Sequence, residues 1–307
     1  MAARPHKPVL YHEIIHALSP KNKGLYVDGT LGAGGHARGI LEASAPGGHL
    51  LGLDIDPQAL ALARENLAPY GQRVRLMQAS YDTLSERLVE VGWYAVDGIL
   101  LDLGISSMQV DTPDRGFSFT HDAPLDMRFS PEYSVKAADL VNSLPQKELA
   151  DLIYRYGEER ASRKIAGAIV RSRPLWTTFE LASVIERVVP RKEGSIHPAT
   201  RTFQALRIAV NDELAKVENV LPQAISSLKG GGRLAIISFH SLEDRIVKEF
   251  FRRESRDCIC PPKQPVCTCG HKSILKEVTR KPIVPGETEI SENPRARSAK
   301  LRIAEKL

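Results

Sequence analysis

Three groups of residues in this 307-residue chain have types and spacings that could do chemistry. The first is Asp28-Gly29-Thr30-Leu31-Gly32-Ala33-Gly34-Gly35-His36, followed by Leu53-Asp54. Glycines let a backbone approach a ligand closely and take up positive φ. A carboxylate after the next strand is placed to accept hydrogen bonds from a ribose diol. Together they predict a site for an adenosine-type ligand. The glycine order differs from the G-x-G-x-x-G that sets a helix N-terminus against a pyrophosphate, which disfavours a nicotinamide oxidoreductase. The second is Asp102, which closes the apolar run Val96–Asp102. A carboxylate at a strand end can accept hydrogen bonds from a bound group and receive a proton. The third is Cys258-x-Cys260 with Cys267-x-Cys269, all four cysteines of the chain. They could hold one structural zinc, with His271 as a substitute ligand. C-x-C is tighter than the usual zinc spacing, and the reading favours reduced thiols without metal, zinc being the alternative.

Other candidates surround these groups. His36 is expected to pack or hydrogen-bond beside the ligand, and Tyr81 either to lie on an adenine ring or to be an ordinary half-buried aromatic. Three segments combine arginine with small polar residues: His197–Arg207, with Arg201 and Arg207; Ser238–Arg245, with Phe239 and His240; and Asn293–Ser298, with Arg295 and Arg297. Guanidinium groups grip phosphates in a bidentate fork, so the three segments favour RNA contact.

The elements that must position these residues are legible in the pattern. Leu25–Gly29, His49–Asp54, Val74–Ala79 and Val96–Asp102 read as strands, alternating with helices over Gly35–Glu42, Pro57–Leu67 and Thr83–Val91, as in a parallel α/β sheet. From about Val110 to Pro198 strand signals stop. Leu149, Leu152, Ile153 and Tyr156, and again Leu181, Val184, Ile185 and Val188, mark amphipathic helix faces. Residues 110–199 therefore read as a helical insertion expected to recognise the substrate, with 1–109 and 200–307 forming the sheet domain. Phe203 through Leu221 reads as one long helix, Gly230-Gly231-Gly232 as the end of the next helical turn, and Leu234–Phe239 as the following strand. Leu242–Arg253 reads as another helix. Ser273–Thr279 and Ala299–Ile303 could form a terminal antiparallel pair. An open sheet of this kind binds its ligand beyond the carboxyl ends of its strands, which is where the glycine turn, Asp54, Tyr81, Asp102 and Ser238–His240 fall.

Composition sets outer bounds. Hydrophobic residues make up 42% and charged residues 26%, as in an ordinary globular protein. No apolar run approaches the roughly 20 residues needed to cross a bilayer, so the expectation is a cytoplasmic protein without a membrane partner. The net charge of +5 is unevenly placed, since residues 201–307 carry 20 Lys and Arg against 13 Asp and Glu. A polyanion could lie against that third of the chain.

D-x-T-x-G-x-G-G resembles motif I of S-adenosylmethionine-dependent methyltransferases. Asp102 stands where amino-group methyltransferases carry [D/N/S]-P-P-[Y/F], but Leu103-Gly104-Ile105-Ser106-Ser107 lacks both prolines and the aromatic. An aromatic that stacks on a base must come from elsewhere, with Phe117, Phe119 and Phe239 as candidates. The ordered set of His6-Lys7-Pro8-Val9-Leu10, Asp28–His36, Leu53–Pro57, Asp102–Gln109, Arg115–Phe119, Leu125-Asp126-Met127-Arg128, His197–Arg207, Ser238–Arg245 and Asn293–Ser298 resembles the methyltransferase H, or MraW, family of small-subunit ribosomal RNA methyltransferases. The resemblance implies a class I, Rossmann-like methyltransferase sheet with an inserted all-helical domain. It implies methyl transfer from S-adenosylmethionine to N4 of a cytidine in the decoding region of 16S ribosomal RNA, within the small subunit. By position it implies cofactor contacts from Gly34, Gly35, His36, Asp54, Tyr81, Asp102 and Gln109, and adds Phe117 and Arg128 to the substrate candidates. The cysteine loop varies within such a family, which weakens a shared zinc role. An amino-methyltransferase of adenine or DNA, and a nucleic-acid-binding regulator that keeps the cofactor only as a ligand, are the alternatives. A homodimer is left open.

Overall fold

Short runs of Val, Ile and Leu pair into a seven-stranded sheet in the order β3-β2-β1-β4-β5-β7-β6. The computed structural model describes residues 8–191, 194, 196–262, 264 and 266–307; His6 and Lys7 of the family-like opening segment lie outside them. Strands β1 (Leu25–Asp28), β2 (His49–Asp54), β3 (Val74–Gln78), β4 (Val96–Asp102) and β5 (Leu228–Ser238) are parallel. β7 (Lys300–Lys306) runs antiparallel between β5 and β6 (Leu275–Glu277). This is the class I methyltransferase arrangement of a Rossmann-like sheet. β1 lies between β2 and β4, so the strand order reverses there and opens a crevice at the carboxyl ends of β1 and β4.

The chain divides into two units, residues 1–104 with 214–307, and residues 105–213. The sheet unit starts with α1 (Tyr11–Leu18), α2 (Gly35–Ala43), α3 (Pro57–Leu67) and α4 (Leu84–Glu90). The helical unit holds α5 (Ser107–Asp111), α6 (Ala137–Ser143), α7 (Gln146–Gly157), α8 (Ser162–Ser172), α9 (Thr178–Val188) and α10 (Thr200–Asn211). α11 (Glu213–Ser227), α12 (Ser241–Glu254) and α13 (Glu287–Glu292) follow.

The two-residue period of the strands builds two cores. Tyr26, Leu50, Leu100, Ala235 and Ile237 face Ile14 of α1, Ile40 and Leu41 of α2 and Leu60 of α3. Val27, Leu51, Ile99, Leu101, Leu234 and Ile236 face Leu84 of α4, Val217 and Leu221 of α11, and Val247 and Phe251 of α12. Central strands buried on both faces need near-continuous apolar runs, which explains their composition. Each such side chain contributes about 1.5–3 kcal/mol of burial. α3 starts where it does because Pro57 needs no N–H partner in a first turn and the Asp56 carboxylate accepts from the Gln58 amide at 3.0 Å.

The structure corrects three readings of the pattern. Phe203 to Leu221 is two helices, because Asp212 is left-handed at φ 51° and ψ 39° and caps α10. Asn211 fixes that break: its side chain accepts from the Phe129 amide at 2.7 Å and donates to the Met127 carbonyl at 2.8 Å. Gly230-Gly231-Gly232 lies inside β5 rather than ending a helix. β5 pairs Leu228 with Val96 and then Arg233 with Gly98, so extra residues bulge out, and Gly231 takes the φ of +77° this requires. The helical unit is also wider than 110–199. Ala199, Phe203, Leu206 and Val210 belong to its core with Leu149, Ile153, Ile165 and Ile185, which draws α10 into it. Among the described residues no helix is long and apolar enough to cross a membrane.

Candidate active site

The glycine turn is pinned from both neighbouring strands. The Gly29 amide donates to the Leu100 carbonyl and the Leu31 amide to the Leu53 carbonyl, each at 2.9 Å. The Gly32 amide donates to Asp54 Oδ2 at 2.8 Å, and the Asp56 amide to Asp54 Oδ1 at 2.9 Å. Asp54 thus braces the turn, and with a third bond from the Ile55 amide its carboxylate keeps about one acceptor site for a hydroxyl. Gly34 is the N-cap of α2 at φ 83°, a conformation that L side chains disfavour. Gly35 is required for a different reason, since a Cβ there would lie 2.5 Å from Pro8 Cγ. His36 is buried, and its Nε2–H donates to the Val9 carbonyl at 2.9 Å. A carbonyl can only accept, so Nε2 carries a proton, and Nδ1 faces Asp102 Oδ2 3.9 Å away.

Asp102 is joined to the turn by its own backbone, whose amide donates to Thr30 Oγ1 at 2.6 Å. A quarter of its side chain is open, 25%, yet Oδ1 is sealed from solvent and has no hydrogen-bond partner among the described residues. Burial, and then the charges of Asp28 and Glu243, push its carboxyl well above the ordinary range. Burial, reinforced by the charge of Asp54, raises Asp28 to about 7 against the bond from the Thr30 amide. Burial raises Asp54 to about 6. The carboxyl end of the sheet therefore concentrates acidic groups that repel one another in a low-dielectric setting. Such a cluster favours a cationic ligand and offers an acceptor to an amine.

Sequence reasoning missed two members of this arrangement. Thr30 ties turn to strand, and Glu243 adds charge to Asp102. Glu243 also accepts from the Phe239 amide at 2.9 Å and the His240 amide at 3.3 Å. The signal for Glu243 is the x-x-Glu spacing of a capping box after His240.

The remaining candidates divide by unit. In the sheet unit Tyr81 opens a short 3-10 turn and packs partly against the core, while Phe239 packs against the core beside Gly104. His240 caps α12, with Nδ1 accepting from the Glu243 amide at 3.4 Å. Its side chain is only 7% exposed, which withdraws it from direct contact with a large substrate. His240 Nε2 lies 3.2 Å from Glu243 Oε1 without making a hydrogen bond to it. Arg295 and Arg297 are exposed.

In the helical unit Gln109 is committed to a capping box, with its amide donating to Ser106 Oγ at 3.2 Å and its Oε1 accepting from the Ser106 amide at 3.1 Å. Phe117 packs on Phe129, and Phe119 stacks on His197 with ring centres 4.4 Å apart. Two expected phosphate ligands have their forks already taken. Arg128 binds both oxygens of Asp126 at 2.7 and 2.8 Å, and Arg207 both oxygens of Glu213 at 2.8 and 2.9 Å. Arg201 stays half exposed. A concavity of about 510 Å³ in this unit is lined by Pro124, Asp126, Lys136 and Trp176.

The chain can be set beside known proteins on this geometry. A model of the MraW methylase family matches residues 3–307. The ribosomal RNA small subunit methyltransferase H of Geotalea uraniireducens is 55% identical over 307 residues, covering 98% of each chain. That of Dehalococcoides mccartyi is 54% identical, covering all of this chain and 88% of its own, and that of Heliobacterium modesticaldum is 50% identical over 98% of both. An rRNA methylase structure from Streptococcus thermophilus overlaps at a TM-score of 0.45 with 12% identity over 100% of this chain and 99% of its own, too distant to add to the assignment. The match runs through the glycine turn, the β4 carboxylate and the whole helical unit alike, and the chain belongs to the MraW methylase family.

Proposed function

We propose that this chain is a cytoplasmic methyltransferase that moves a methyl group from S-adenosylmethionine to N4 of a cytidine in the decoding region of 16S ribosomal RNA, presented within the small subunit. The observation that carries the reading is the Asp102 carboxyl. It stands at the carboxyl end of β4, one hydrogen bond from the glycine turn, with a quarter of its side chain open and a raised pKa. A perturbed carboxyl left open beside a ligand turn marks where an outside donor arrives. The names of the relatives support the ribosomal target.

The residues present fit the methyl donor. Gly32 and Gly34 keep the turn open, Asp54 retains an acceptor site for a ribose, and the cluster of Asp28, Asp54 and Asp102 suits a positive charge. When bound, S-adenosylmethionine supplies an electrophilic methyl on a sulfonium. The chain does the rest. Asp102 accepts the amine N–H groups, holds the nitrogen in line, and takes the proton that transfer releases, a task its raised pKa suits. Thr30 holds Asp102 and the turn in one frame, with the His36 ring beside them. The cytidine must leave its stack to reach such a recess. We assign the helical unit, residues 105–213, to substrate recognition, and give the exposed Arg201, Arg295 and Arg297 the grip on phosphate.

Small subunits lacking the methyl, incubated with purified protein and isotopically labelled donor, should yield labelled N4-methylcytidine on nucleoside mass spectrometry. Label in adenine, or none in either base, overturns the reading.

A further inference from the structure

Between α12 and β6 the chain makes a loop that has almost no core of its own. Cys258, Cys267 and Cys269 are exposed and Cys260 half-buried, and Ile259 and Val266 face solvent. The base of the loop is closed by the Ile274 amide donating to the Glu254 carbonyl at 3.0 Å, and by Ser273 Oγ donating to Asp257 at 2.6 Å. Inside that base the four sulfurs converge. All lie within 4.8 Å of one another, with Cys267 and Cys269 Sγ 3.6 Å apart and Cys258 and Cys269 Sγ 3.8 Å apart.

Those distances discriminate between fates for the thiols. Four sulfurs around a tetrahedral zinc, each at about 2.3 Å from the ion, stand about 3.8 Å from one another. A disulfide needs about 2.05 Å and would draw two sulfurs out of the cluster. Tight C-x-C pairs serve the tetrahedron because residues i and i+2 of extended backbone point to the same side. Backbone amides are turned to the sulfurs, as thiolates require: Ile259 donates to Cys269 Sγ at 3.5 Å, and the amides of Cys260 and His271 face Cys258 and Cys269. His271 does not converge with the four sulfurs; its Nε2 donates to the Arg253 carbonyl at 3.1 Å.

We propose that Cys258, Cys260, Cys267 and Cys269 form a four-thiolate zinc site that holds this loop in place of a hydrophobic core. With all four positions of the ion filled by protein the site is structural, not catalytic, and it stands independently of the methyl-transfer reading.

The full-length chain, purified under reducing conditions without added metal, should carry about one zinc per molecule by plasma mass spectrometry. Stripped of metal by a chelator and titrated with cobalt(II) alone, it should develop the charge-transfer and d–d bands of tetrahedral cobalt thiolate. The double variant Cys258→Ser/Cys269→Ser should fall below about a tenth of a zinc per chain, while Cys260→His, which substitutes one zinc ligand for another, should retain the metal. If the serine variant fails to fold, thiol titration of the unaltered chain decides: the four cysteines should resist a thiol reagent until chelator is added. Four freely reactive thiols with no zinc, a disulfide among them, or zinc that persists in the folded serine variant overturns the proposal.

Discussion

Asp102→Asn separates the two consequences of placing a carboxyl at the end of β4. The amide keeps the shape and removes the charge that Asp28 and Glu243 repel. Oδ1 is buried without a partner among the described residues, and a charge left unpaired there costs more than the neutral amide that replaces it, by about 1–3 kcal/mol. At roughly 2–4 °C per kcal/mol, the variant should melt roughly 2–12 °C higher than the unaltered protein. The sign depends on pH. The folded-state pKa lies above the unfolded value of about 3.9. Below the unfolded value both states hold the proton and no penalty exists; it grows as pH rises and is complete above the folded-state pKa. The gain should therefore be present near pH ~8.5 and absent near pH ~4. Methyl transfer should meanwhile fall by about 10²–10⁴-fold, since the amide cannot take a proton. Calorimetric melts at both pH values and a labelled-methyl assay read the two effects. A variant less stable at high pH, a gain independent of pH, or transfer at the unaltered rate would refute the reasoning.

Asp54→Ala should weaken binding of S-adenosylmethionine by about 10–100-fold, the worth of charge-assisted bonds to a diol, and calorimetry showing unaltered affinity would remove the ribose role. Because Asp28 and Asp54 ionise near 7 and 6, affinity for the cationic donor should rise with pH across that interval and level off above it, with proton release on binding. The uncharged product S-adenosylhomocysteine should show a shallower rise; equal profiles contradict the electrostatic argument. Arg207→Ala should destabilise the fold by up to about 3–5 kcal/mol, because it removes the bidentate partner of the buried Glu213 carboxylate. The exposed pair Arg295→Ala and Arg297→Ala should leave melting unchanged while lowering the salt dependence of ribosomal RNA binding by about one unit per arginine. A filter-binding series that moved with Arg207 and not with the pair would reverse the assignment.

Much of the fold is legible because parallel strands advertise themselves. β2, β4 and α3 fall on the residues their patterns mark, since the Val, Ile and Leu runs are short and Pro57 marks its helix start sharply. Asp212 was not legible. Aspartate adopts left-handed backbone without announcing it, and the apolar period runs through the break from Phe203 to Leu221. Gly230–Gly232 misleads for the opposite reason: glycine serves a helix end and a strand bulge equally, and only pairing with Val96 and Gly98 decides between them. At the site, residue type marked Asp54 and Asp102 as candidates but could not say which arginines are held by carboxylates. Arg128 and Arg207 look like phosphate ligands in sequence, and their carboxylate partners, Asp126 and Glu213, become decisive only once side chains are placed. The cysteines show the converse, because spacing alone gave no distance between sulfurs.

A crystal structure of the protein with a methyl-donor analogue and cytidine tests the central claim most directly. The analogue should occupy the turn of Gly32–His36 with its ribose on Asp54, and the cytidine N4 should lie about 3 Å from a carboxylate oxygen of Asp102. An analogue bound elsewhere, or an amine turned away from Asp102, would contradict it.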